Sequence, residues 1–137
     1  MTTVPPTPSR DALLEQREAV LESIAALPLF RRGSVTEHAR TCGKPNCKCR
    51  RGPEHRHEAF QWTVSNNGKT RYKTLHLGPE VEKYLQETEV YRRFQELTTT
   101  YVHLTEQIAD LQPVPTIASD DALAALKKKL RSQLTRP

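Results

Sequence analysis

Cys42-Gly43-Lys44-Pro45-Asn46-Cys47-Lys48-Cys49 contains every cysteine of this chain. His55 and His57 follow within another eight residues. Soft ligands packed this closely, and separated by glycine, proline and asparagine, form the pattern of a metal knuckle. Zinc prefers four thiolate and imidazole ligands in a tetrahedron. Cys42, Cys47 and Cys49 supply three, and His55 or His57 supplies the fourth, with His38 as an outside candidate. Gly43 and Pro45 suit the tight turn that brings Cys42 back toward Cys47. The spacing C-x4-C-x-C then H-x-H departs from paired C-x2-C knuckles, so the competing reading is three reduced cysteines packed against the downstream hairpin without metal.

The surroundings of the cluster are basic. Residues 31–78 carry eleven basic and three acidic groups. Residues 1–30 carry two and four, and residues 79–137 carry eight and nine. The net charge of +5 therefore belongs to the central third. Such asymmetry marks a surface for polyanions, and DNA is the expected partner. Lys44, Lys48, Arg50, Arg51, Arg56, Lys69, Arg71 and Lys73 are the expected phosphate contacts.

Immediately downstream, Phe60-Gln61-Trp62-Thr63-Val64 and Thr70-Arg71-Tyr72-Lys73-Thr74-Leu75 alternate with period two around Asn67-Gly68, a hairpin signal. A two-residue loop pairs Trp62 with Lys73. A three-residue loop pairs Trp62 with Tyr72, and this register is the expected one because it places Phe60, Trp62, Val64 and Tyr72 on one face. Upstream, Gly33-Ser34-Val35-Thr36 reads as a short strand, and Leu29-Phe30 as an anchor into the core.

Helical patterns flank this centre. Ser9 is an N-cap, and Leu13, Val20 and Leu27 with Leu14, Leu21 and Ile24 make one apolar stripe before Pro28. Pro79-Glu80 opens a second helix. In it Val90, Phe94, Leu97, Tyr101, Leu104, Ile108 and Leu111 step by four and three, a heptad seam that ends before Pro113. Its 33 or so residues span roughly 50 Å. The first helix would lie antiparallel on half of that rod. The rest of the 90–111 seam would need a second copy, a larger protein, or the last helix. That last helix, 119–134, sets Leu123, Leu126, Leu130 and Leu134 among Lys127-Lys128-Lys129 and Arg131.

The expected fold is thus α+β, mainly α: an antiparallel, coiled-coil-like helical rod with an inserted Cys-rich loop and β-hairpin, stabilised by zinc. Its parts are a disordered N-terminus at 1–8, one domain over 9–111, a linker at 112–118 and a basic amphipathic helix in 119–137. The hydrophobic fraction is 36% and mean hydropathy is −0.69, lean for a compact globule. No run of eighteen apolar residues exists, so no membrane partner is expected. The N-terminal Met1-Thr2-Thr3-Val4-Pro5-Pro6-Thr7-Pro8 lacks the apolar core of a signal peptide. A cytoplasmic location with reduced thiols follows as the expectation. An enzyme is not expected, because no acid partner or oxyanion element accompanies the cysteines.

Gly33-Ser34, the Cys42–Cys49 block, Gly52, His55 and Gly68-Lys69, followed by Tyr91-Arg92-Arg93-Phe94, resemble a small bacterial family of unknown function. The resemblance spans roughly residues 9–111. Members are often encoded beside transposases and other mobile-element genes, which implies a role in DNA transactions. The family usually follows the histidine with Gly-Pro and paired tyrosines. This chain has Arg56-His57-Glu58-Ala59-Phe60-Gln61-Trp62, which leaves His55 and His57 both open as ligands.

Overall fold

The computed structural model describes residues 6–135. Of the segment expected to be disordered, residues 1–5 lie outside the described residues, and 6–8 are exposed without regular structure. Helix α1 runs Arg10–Ala25, started by Ser9, whose Oγ accepts the Ala12 N–H at 3.2 Å. Strands β1 (Ser34–Arg40), β2 (His57–Asn66) and β3 (Lys69–Leu75) form one antiparallel sheet in the order β1-β2-β3. Helix α2 spans Pro79–Leu111 and α3 spans Asp120–Leu134. The fold is mixed α+β and mostly helical, as the patterns predict.

Helix α2 is the common support, and two small cores form on it. Near its C-terminal end Leu13 packs on Leu104 and Ile108, with Leu14 and Val20 at the margin. Arg17 Nη2 donates to the Tyr101 hydroxyl at 2.7 Å and its Nε donates to Thr105 Oγ1 at 3.3 Å. The start of α1 therefore meets the end of α2, so the pair is antiparallel. Near the N-terminal end of α2, Trp62 and Leu75 of the sheet bury against Val81 and Tyr84, joined by Val35, Phe60 and Val64. The half of the rod that α1 leaves uncovered is covered by the sheet. The Thr98-Thr99-Thr100 run does not interrupt α2, and all three hydroxyls donate back to the carbonyls of Gln95 or Glu96 at 2.9–3.1 Å.

The segment joining α1 to β1 crosses the junction between these cores. Leu29 is 90% exposed and anchors nothing, contrary to expectation. Phe30 stacks on Phe94 with centroids 4.9 Å apart. The anchor is Arg31. Its backbone N–H donates to the Glu87 carbonyl at 3.1 Å and its Nε to Glu87 Oε1 at 3.2 Å. Its guanidinium lies 4.0 Å above the Tyr84 ring and 5.1 Å from the Trp62 ring. A cation held between two aromatic faces and a carboxylate ties three elements at one point.

The hairpin register differs from the expected one. Asn66 pairs with Lys69 across a two-residue Asn67-Gly68 turn, and Trp62 pairs with Lys73. Both turn residues have positive φ, 52° and 78°, the conformation of the tight turn that matches strand twist. Tyr72 therefore sits opposite Thr63 on the face away from α2 and is 70% exposed. A one-residue change of register moves the whole strand's side chains across the sheet. β1 is also longer than 33–36. It runs to Arg40 and pairs with β2 as far as His57.

Helix α3 caps cleanly, with Ser119 Oγ accepting the Ala122 N–H at 3.2 Å, but every described residue of it is exposed.

Gly33 is the position where a side chain is least tolerable. Its φ is +114°, and a Cβ there would lie 2.5 Å from both the Thr63 carbonyl oxygen and Trp62 Nε1. That indole donates to the Arg32 carbonyl at 2.9 Å. Gly33→Ala is expected to cost about 2 kcal/mol in chemical denaturation. Gly43→Ala, with nothing within 4 Å of the new carbon, is expected to change stability by less than about 0.5 kcal/mol.

Candidate metal centre

Residues 41–56 have almost no apolar content, so local turns and sulfur contacts shape them. The Cys47 N–H bonds to the Lys44 carbonyl at 3.3 Å, closing a turn with Pro45 at its second position. A 3-10 turn over Lys48–Arg50 follows, carrying Cys49, which is 1% exposed. A second 3-10 turn over Pro53–His55 leads into β2. Gly43 has no positive φ and no crowded neighbour, so the turn makes no special demand on it. The turn belongs to Lys44-Pro45-Asn46-Cys47.

These turns bring four ligand atoms together. The sulfurs of Cys42, Cys47 and Cys49 and a ring nitrogen of His57 all lie within 4.8 Å of one another. Cys42 Sγ is 3.5 Å from Cys49 Sγ, and Cys47 Sγ is 3.1 Å from His57 Nε2. A tetrahedron with metal–sulfur bonds of about 2.3 Å has edges of about 3.8 Å. The four atoms bracket that size, and the three cysteines are free thiols. The Cys42 N–H donates to Cys49 Sγ at 3.3 Å, the kind of outer contact that orients a thiolate ligand. The set fits one ion with all four positions filled from the protein, the closed arrangement of a structural site.

Of the two histidines open in the sequence, only His57 joins the cluster. His57 is the first residue of β2 and pairs with Arg40, two residues before Cys42. The sheet register thus carries it to the cysteines. His55 closes the preceding 3-10 turn, is exposed, and lies 3.5 Å from Glu54 Oε1. His38 is within β1, with Nε2 2.9 Å from Thr36 Oγ1. Neither belongs to the cluster.

The basic residues divide into two groups. Lys44, Lys48, Arg50, Arg51 and Arg56 are all exposed around the cluster. Arg50 Nε also donates to the Lys44 carbonyl at 3.3 Å, which braces the loop. On β3, Lys69, Arg71 and Lys73 point to the side of the sheet that α2 covers. Lys73 Nζ lies 3.3 Å from the Tyr84 hydroxyl, 4.0 Å from Glu80 Oε1 and 5.4 Å from the Tyr84 ring centre. It is engaged within the protein rather than free for a ligand. Arg40 and Glu58 line the shallow depression formed with Cys42, Lys44, Cys47 and His57. The sequence reading missed both. Neither carries a local signal: His57-Glu58-Ala59 does not continue the alternation that begins at Phe60, and Arg40 lies at the far end of β1.

The cluster perturbs its own protons. The Cys47 thiol is lowered to about 6, first by the Cys49 backbone N–H and then by His57 and the neighbouring thiols. Cys42 is also lowered, chiefly by the Lys44 backbone N–H. At Cys49 the Cys42 backbone N–H favours the thiolate, but burial and the adjacent sulfurs outweigh it and the thiol is raised. His57 is raised, first by its hydrogen bond with Cys47 and then by Cys42.

A small α+β module with a Cys3His cluster at one end of its sheet is the class these observations define. Residues 10–87 match the family model described as a domain of unknown function (DUF6788), and the chain belongs to that family. The match takes in α1, the whole sheet and the cluster, and ends inside α2. No curated protein and no solved structure matches the chain.

The lowered Cys47 contributes stability fully above the ordinary thiol value of 9.0 and loses it as pH falls through about 6. The raised His57 contributes below its ordinary 6.5 and loses that contribution as pH rises through its raised value. In chelator-treated protein, iodoacetamide is expected to reach Cys42, Cys47 and Cys49 alike, and added metal should protect all three, with peptide mapping as the check.

Proposed function

We propose that this protein is a DNA-binding accessory module in which zinc on Cys42, Cys47, Cys49 and His57 holds a basic loop rigid for contact with phosphates. The observation that carries the reading is the concentration of exposed cations on that loop. Lys44, Lys48, Arg50, Arg51 and Arg56 lie within or beside the ligand set, on a segment with no apolar core of its own. Zinc suits three thiolates and one imidazole in a closed site, and such sites supply folding energy to short polar segments. The four-and-three spacing along α2 supports a coiled-coil-like seam with α1, a stiff mount for the loop. The closed ligand set leaves no open position for substrate, which supports a non-enzymatic role.

A second reading, a zinc-stabilised protein-interaction or dimerisation module, draws on α3. Its Leu123, Leu126, Leu130 and Leu134 are exposed on one side of a basic helix. The heptad positions Leu97, Leu104 and Ile108 offer it less support, because they are already buried within the chain. Light scattering separates the readings: a dimer that does not bind DNA favours the second.

Elemental analysis of the purified protein is expected to find one zinc per chain, lost in His57→Ala and kept in His55→Ala. A gel-shift series with duplex DNA should show affinity falling steeply with salt. Arg50→Ala and Arg51→Ala should each lower the salt slope by about one phosphate contact. Absence of binding even at low salt removes the nucleic-acid reading.

A further inference from the structure

The sheet has two unlike faces. The face toward α2 carries Val35, Phe60, Trp62, Val64 and Leu75, together with the strand carboxylates Glu37 and Glu58. The opposite face is open. It presents Thr36, His38 and Arg40 from β1, Gln61 and Thr63 from β2, and Tyr72 from β3. The remaining residues of that face are Ser, Thr, His or Ala, and no Asp or Glu lies among them. A polar surface of the three strands with hydrogen-bonding groups and no anion is complementary to nucleic acid. Its rim continues into the basic metal loop through Arg40 and His57, which pair with each other.

We infer that this open sheet face enters the major groove of duplex DNA and reads base edges, with Arg40, Gln61 and Tyr72 as the principal contacts. The inference rests on the nucleic-acid reading above and assigns the reading surface within it. Three strands about 4.8 Å apart set the outer strand axes about 10 Å apart, so with the backbone at the mouth of the groove, side chains from all three strands converge on a groove about 12 Å wide that itself admits only two strands. β2 extends ten residues, about 30 Å. The strands must therefore run along the groove, with the cationic loop at one end and the Asn67-Gly68 turn at the other. Strand readers of this kind place alternate side chains on base edges. Arg and Gln offer paired groups for guanine and adenine, while threonine and tyrosine supply apolar contact for the thymine methyl. Proteins that grip single strands use successive aromatic platforms. This face has one exposed aromatic ring, Tyr72, at an edge strand. Because Lys69, Arg71 and Lys73 occupy the other side of β3, the hairpin's reading contacts come from its uncharged positions.

The test is selection from a duplex DNA library with a randomised centre, using the full zinc-loaded chain. The same protein is then offered single-stranded DNA and double-stranded RNA of matched length. A preferred duplex motif is expected. Gln61→Ala and Tyr72→Ala should each reduce preference for that motif over random duplex by about tenfold or more. The salt slope should not change, because neither side chain carries charge. Zinc content and melting temperature of each variant report folding, and Tyr72 is exposed enough that its truncation leaves the core untouched. The inference is overturned if no motif emerges, if both variants keep the motif, or if single strands or RNA bind more tightly than duplex. A chain that binds no nucleic acid at low salt instead defeats the underlying reading, and this one with it.

Discussion

The structure depends on one junction, where Arg31 is held between Tyr84 and Trp62 and bound through both its backbone and its guanidinium to Glu87. The small three-stranded sheet buries its one apolar face against a single helix, α2. Trp62 meets Tyr84 edge to face at 5.7 Å, and Leu75 and Val81 close the contact. The chain between α1 and β1 must pass this point. Gly33, with its positive φ and no room for a side chain, turns it directly into the sheet. The position of the sheet on α2, and so of everything attached to it, follows from these few residues.

Beyond the junction, apolar burial runs out. Residues 41–56 contribute one buried side chain, and it is a cysteine. Hydrogen-bonded turns place the sulfurs, the sheet register places His57, and the four ligands converge without help from a hydrophobic core. This division of labour explains why so lean a chain can hold a highly charged loop in one shape. Like charges crowded around the cluster oppose its folding, and an ion held by three thiolates would offset that repulsion.

Much of this architecture is legible in the sequence. Helices α1 and α2 declare themselves through caps, prolines and spacing, and α2 begins and ends at the residues the sequence names. The cysteines declare the cluster. The choice of histidine was not legible, because it depends on how far back β2 extends, and Arg56-His57-Glu58 gives no local strand signal. The hairpin register failed for a related reason. A face that groups the aromatic residues would fill the core with Tyr72, but the core takes Leu75, and the two-residue Asn67-Gly68 turn sets the register. Leu29 lies exposed because Arg31 beside it fixes the segment through contacts that a hydrophobic pattern does not carry. Helix α3 forms over Asp120–Leu134, close to the span its pattern marks, and its leucines remain exposed.

A metal held by the cluster would stabilise the basic end of the sheet and leave the helical core to apolar burial. Amide hydrogen exchange of the metal-loaded protein, before and after chelation, tests this most directly. Loss of the metal should abolish protection in residues 41–57 and at the paired ends of β1 and β2, while α1 and the C-terminal half of α2 keep theirs. Unchanged exchange in the loop, or a uniform loss across the helices, would contradict a metal centre that organises the basic end of the sheet.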